Sequence, residues 1–97
     1  MMNTGGQTSL QEEFETITLE DETYSLIVWN DEVNTFDWVI ETLVDICAHT
    51  PQQAEQCAMI IHYHGKYAVK EGSLKILKPM QEAITERGIG ATIEVLV

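Results

Sequence analysis

Basic residues are scarce in this chain of 97 residues. Five lysines and arginines face sixteen aspartates and glutamates, and the formal net charge is −11. Such a chain has no positive field to gather nucleic-acid phosphates, which excludes backbone-driven nucleic-acid binding. The scarcity is also uneven. Residues 1–23 carry six acids, residues 24–65 carry six more, and neither stretch carries a base. All five bases, Lys66, Lys70, Lys75, Lys78 and Arg87, fall between 66 and 87. One half of the domain is therefore predicted to be negative, which favours cationic ligands.

Other shortages exclude other classes. Only two cysteines occur, Cys47 and Cys57, both on apolar positions of helical patterns. They read as small buried hydrophobes in a reducing compartment, not as a disulfide frame. No apolar run approaches the roughly 20 residues of a membrane span, and no charged-then-apolar leader is visible. A cytoplasmic location is expected. There is no phosphate-cradling glycine loop and no EF-hand spacing. His62 and His64 sit two apart, so a helix points them in different directions, and His49 lies in a turn. Cys47 and His49 are too close in sequence to face one another, and nothing orients a base. The reading is a protein that is not an enzyme, with no metal and no cofactor.

What is present is ordered around YSLIVWNDEVNTFDWVI, Tyr24 to Ile40. Tyr24–Trp29 is apolar but for Ser25 and reads as a strand covered on both faces for most of its length. Asn30, Asp31 and Glu32 then place an amide and two carboxylates just past its end. A helix follows from about Thr35 to Ala48, capped by Asn34 or Thr35. Phe36, Val39, Ile40, Leu43, Val44 and Cys47 form one helical face. Trp38 lies off that stripe, either partly exposed or against another element. Thr50-Pro51-Gln52-Gln53 signals a second helix with a capping box, ended by Gly65. Ala54, Cys57, Ala58 and Ile61 make its face. Lys66–Lys70 reads as a short strand, Ser73 as the cap of a third helix, and Pro79 as a kink or restart within it. Ala91, Ile93 and Val95 alternate along a last strand. The order is β-α-α-β-α-β, an α+β two-layer fold with a small sheet and helices on one face. Residues 1–22 form an acidic tail, either solvated or engaging a partner in extended form, and 23–97 form the core.

The two central helices are near neighbours because only a few residues join them. His62 can therefore approach the Asn30-Asp31-Glu32 loop. That constellation has two readings: a capping loop beside a half-buried histidine, or a cation site beside an apolar pocket.

WNDEVNTFDWVIETL at 29–43 and QQAEQCAMIIHYHGKYAV at 52–69 resemble ClpS, the adaptor family of the bacterial N-degron pathway, with a weaker match at ATIE, 91–94. The resemblance covers residues 24 to 97. It implies a three-stranded antiparallel sheet with helices on one face, a fold shared with the C-terminal domain of the ribosomal stalk protein. It implies a monomeric adaptor that binds proteins with a large hydrophobic first residue. The adaptor passes them to an AAA+ unfoldase, ClpA or ClpC, paired with the peptidase ClpP. Carried over residue by residue, Asn30, Asp31, Glu32 and His62 would surround the α-amino group. Phe36, Val39, Ala58, Ile61 and Ile89 would line the side-chain pocket, and Asn34 would meet the peptide backbone. Lys75 or Lys78 would take part in unfoldase docking. Three positions depart from the family pattern: Glu32 stands for a usual aspartate, Phe36 and Ala58 for common methionines. These departures keep open a plain interaction module that docks to an AAA+ partner without reading termini.

Overall fold

The computed structural model describes residues 22–96. Six elements follow in the order read from the pattern. They are β1 (Thr23–Trp29), α1 (Phe36–Cys47), α2 (Pro51–His64), β2 (Lys66–Gly72), α3 (Leu74–Glu86) and β3 (Ala91–Leu96). The expectations for the tail, residues 1–21, lie outside the described residues.

β1 is the central strand of an antiparallel sheet ordered β2-β1-β3. Its residues Ser25–Val28 are all buried, in keeping with a central strand that is apolar there but for Ser25. Leu26 pairs with Ile93 and Val28 with Ala91, so these side chains share one face. Three helices cover that face. Leu26, Val28, Leu43, Cys47, Ala54, Ile61, Val69, Leu77 and Ile84 close a single core between the layers. The ladder to β2 shifts register between Leu26 and Ile27, leaving Val69 as the extra residue. That bulge turns Val69 into the core and carries β2 on to Gly72, two residues beyond its expected end.

The helix ends are set by local chemistry. Thr35 accepts a hydrogen bond from the Trp38 N–H at 3.0 Å and starts α1. The turn between α1 and α2 passes through Ala48 with φ 59, a left-handed conformation. Thr50 and Gln53 form both halves of a capping box at the start of α2. Gly65, at φ 91, ends it. Of the two outcomes expected at Pro79, a kink or a restart, the restart does not occur: Leu74–Glu86 is one helix with the proline inside it. The proline lacks the N–H that would bond the Lys75 carbonyl, and Lys75 is exposed, so water can take that group.

Trp38 proves to be a strut. It is partly buried, and its indole N–H donates to the Arg87 carbonyl at 3.0 Å. The Arg87 guanidinium lies over the same ring at 5.2 Å and pairs with Asp45 at 3.2 Å. The end of α3 is thus fastened to α1, which fixes the loop leading to β3.

Candidate functional site

The β1–α1 loop is built on backbone bonds at both sides. The Trp29 N–H donates to the Gly90 carbonyl at 3.0 Å, and the Asn30 N–H to the Gly65 carbonyl at 2.8 Å. The second bond matters most. It sets Asn30 against the end of α2, three residues after His62, and so brings together groups more than thirty residues apart in sequence. Asp31 then organises the rest of the loop. Its Oδ1 accepts from the Val33 N–H at 2.8 Å and from the Asn34 N–H at 2.7 Å. Its Oδ2 accepts from the Asn34 side-chain amide at 2.7 Å. These Asn34 donors hold the Asp31 carboxyl below the usual carboxylate range. The same Asn34 amide donates its second proton to the Gly88 carbonyl at 2.9 Å, tying the loop to the end of α3.

Between this loop, the start of α1 and the last turns of α2 lies an open cavity of about 410 Å³. That is within the roughly 300–1,000 Å³ of small-ligand sites. Asn30, Asp31, Glu32, Asn34 and His62 supply its polar side. Phe36, Val39, Ala58 and Ile61 supply its apolar side. Ala58 and Ile61 are buried in the wall, whereas Phe36 is 40% exposed at the mouth. His62 is exposed, not half-buried, with its ring edge-on to Tyr63. Asn30 and Glu32 are also exposed.

Nine of the expected residues therefore share one cavity, and one does not. Ile89 is 2% exposed and belongs to the core, because the Gly88 turn carries its side chain inward. Lys75 and Lys78 lie exposed on α3, away from the cavity lining. Thr35 also lines the cavity and was read only as a cap. Its signal was its place between Asn34 and Phe36 in the same loop. Gly65 and Gly88 contribute through carbonyls, which side-chain chemistry does not reveal. Among the described residues no group of three or more histidines, cysteines or carboxylates is placed to hold a metal. No described helix is long and apolar enough to cross a membrane.

Fold and site together define a class: a small two-layer α+β domain with an open cavity, acidic and amidic on one side and apolar on the other. The family model described as "ATP-dependent Clp protease adaptor protein ClpS" matches residues 19–92, and the chain belongs to that family. It is 39% identical over 46 residues to the ATP-dependent Clp protease adapter protein ClpS of Campylobacter jejuni subsp. jejuni strain 81-176. The same identity and length relate it to the protein of that name from C. jejuni subsp. doylei. Each match spans 47% of this chain and 48% of the relative, about half of either. Among solved structures, Agrobacterium tumefaciens ClpS2 bound to L-phenylalaninamide aligns with a TM-score of 0.72 at 20% identity. The alignment covers 77% of this chain and 98% of that one, and it bears on the fold.

Proposed function

We propose that this adaptor binds proteins through an unblocked N-terminal amino group followed by a large hydrophobic side chain. It then delivers them to a Clp AAA+ unfoldase and its peptidase. The observation that carries the reading is the two-sided cavity. A protonated α-amine has three donors and no acceptor, and its pKa of about 7.7–8.0 keeps it mostly charged at neutral pH. The polar side offers matching acceptors: the Asn30 amide oxygen, the loop carboxylates and an imidazole nitrogen of His62. The chain supplies no base before Lys66 to compete with the ligand.

The apolar side accounts for the second requirement. Burying a Leu or Phe side chain against Val39, Ala58 and Ile61 contributes about 1.5–3 kcal/mol. Charge-assisted hydrogen bonds contribute about 1.5–3 kcal/mol each. An acetylated or internal amide lacks the charge and leaves unmatched the acceptors that the bound peptide shields from water, so the two halves together read one terminus and one residue class. L-Phenylalaninamide, the ligand of the Agrobacterium relative, combines a free amine with a benzyl group and so has the chemistry this cavity suits. Asn34 keeps its Oδ1 for a peptide N–H, since both amide protons are engaged. Lys75 and Lys78, exposed on α3, are proposed for unfoldase docking.

A peptide series varying only the first residue tests the reading. Leu, Phe, Tyr and Trp should bind, and Ser, Asp and Lys should not. Equal binding across the series would refute it.

A further inference from the structure

We propose that the chain has a second binding site, on the opposite flank of α2. It takes an extended segment of a partner protein and seats one neutral hydroxyl- or amide-bearing side chain, of Thr, Ser, Asn or Gln.

A cavity of about 230 Å³ lies between α2, the α1–α2 turn and β2. Ala58, Ile61 and His62 line the first cavity, whereas Gln53, Cys57 and Ile60 of the same helix line this one. The two cavities share no lining residue, so α2 separates them. The volume falls short of the roughly 300–1,000 Å³ of small-molecule sites and suits a single side chain.

The wall holds one unmet acceptor. His49 Nδ1 is buried and has no hydrogen-bond partner among the described residues. The Val69 carbonyl bonds the ring's other nitrogen, which keeps the proton there and leaves Nδ1 to accept. A buried acceptor is costly to leave unpaired, so the site calls for a donor. A donor stands beside it: Gln53 gives its Oε1 to the Thr50 N–H and has its amide protons left to give.

Charge narrows the class. No Asp, Glu, Lys or Arg lines the cavity. The Lys70 ammonium, held on the Cys47 carbonyl at 3.2 Å, acts on His49 through its charge. It opposes a cationic donor, and a carboxylate has no proton to offer Nδ1. A neutral hydroxyl or carboxamide can satisfy both His49 and Gln53.

The carrier is a peptide strand because of where the cavity lies. Tyr67, Ala68 and Val69 line it, and β2 is an edge of the sheet. The Asn30 N–H bonds the Gly65 carbonyl, and Val28 pairs with Tyr67, so Gly65 and Tyr67 turn their main-chain groups toward β1. By alternation, Lys66 and Ala68 present theirs at the free edge. An added strand bonds these groups and sends alternate side chains toward α2 and the cavity.

NMR titration of the full chain with acetyl-Glu-Val-Thr-Val-Glu-amide tests the proposal, beside a twin with valine for threonine. Both ends are blocked, so neither probe carries a free amine. The threonine probe should bind saturably and about fivefold tighter than its twin, the worth of one neutral hydrogen bond. It should shift the signals of Gln53, Cys57 and Ala68 and leave those of Asn30 and Glu32 in place. It should also slow hydrogen exchange at the Lys66 and Ala68 amides. His49→Phe should erase the preference for threonine. Ala68→Pro removes an edge N–H that β1 does not use and should weaken both probes alike. The comparison of the two probes on the native chain needs neither variant. Absence of saturable binding, equal affinity for the two probes, or shifts confined to the first cavity or to β3 would each overturn the proposal.

Discussion

Replacing Ala58 by methionine tests the cavity wall directly. Ala58 is 3% exposed, lies on α2 and lines the apolar side of the cavity. A methionine there would extend into the cavity that Ala58 lines together with Phe36 and Val39. Overpacking a closed core costs about 1–3 kcal/mol. Here the added atoms enter a cavity of about 410 Å³, so melting should change by no more than a few degrees. Ligand binding should change selectively. A Phe or Trp side chain that loses its seat forfeits most of its burial energy of about 1.5–3 kcal/mol, or roughly 10- to 100-fold in affinity. A Leu side chain is shorter and should lose less than about tenfold. Anisotropy with Leu-, Phe- and Trp-initiated peptides, beside a thermal melt, reads both effects. A uniform loss across the three peptides would refute the reasoning, as would a steep fall in melting temperature, because either would place Ala58 in the closed core.

Further outcomes concern stability and reactivity. Thr50→Ala removes the hydroxyl that accepts from the Gln53 N–H, one half of the α2 capping box, and should cost about 1 kcal/mol, readable as a lower urea midpoint at unchanged slope. Burial lowers the pKa of His49, whose Nδ1 is buried without a hydrogen-bond partner. The unfolded chain therefore binds the proton more readily, so stability should fall as pH drops from about 7 through the unfolded value of about 6.5. His49→Gln should flatten that decline, and an unchanged decline would exclude His49 as its source. The Cys47 thiol is fully buried and its pKa is pushed up to about 11, chiefly by burial. Cys57 is only partly buried. In the native protein a thiol-alkylating reagent should modify Cys57 first, and modification of Cys47 should wait for unfolding.

Much of this architecture is legible in the chain because local and global signals agree. The Thr50-Pro51 start, the Gly65 stop and the apolar run to Trp29 each specify what the fold uses. The cavity was legible for the same reason: strand, acidic loop, helix face and His62 follow in an order that the packing of the two neighbouring helices brings together. What escaped reading is what backbone atoms decide. The bonds that Asp31 accepts from the N–H groups two and three residues on are set by the turn of the backbone, which residue type does not show. Ile89 fits an apolar pocket by type, but the Gly88 turn sends it into the core. Pro79 signals a kink or a restart, and the helix continues through it, with Leu77 and Ile84 on either side both fully buried. Trp38 and Arg87 fasten each other across forty-nine residues, a distance over which no periodicity speaks.

The most direct measurement is calorimetric titration of the native chain with one Phe-initiated peptide in two forms, amine free and amine acetylated. Acetylation removes the charge and leaves the benzyl group unchanged, so the free form should bind more than about tenfold tighter. Equal affinities would mean that the loop oxygens and His62 do not read the terminus, and the central claim would be false.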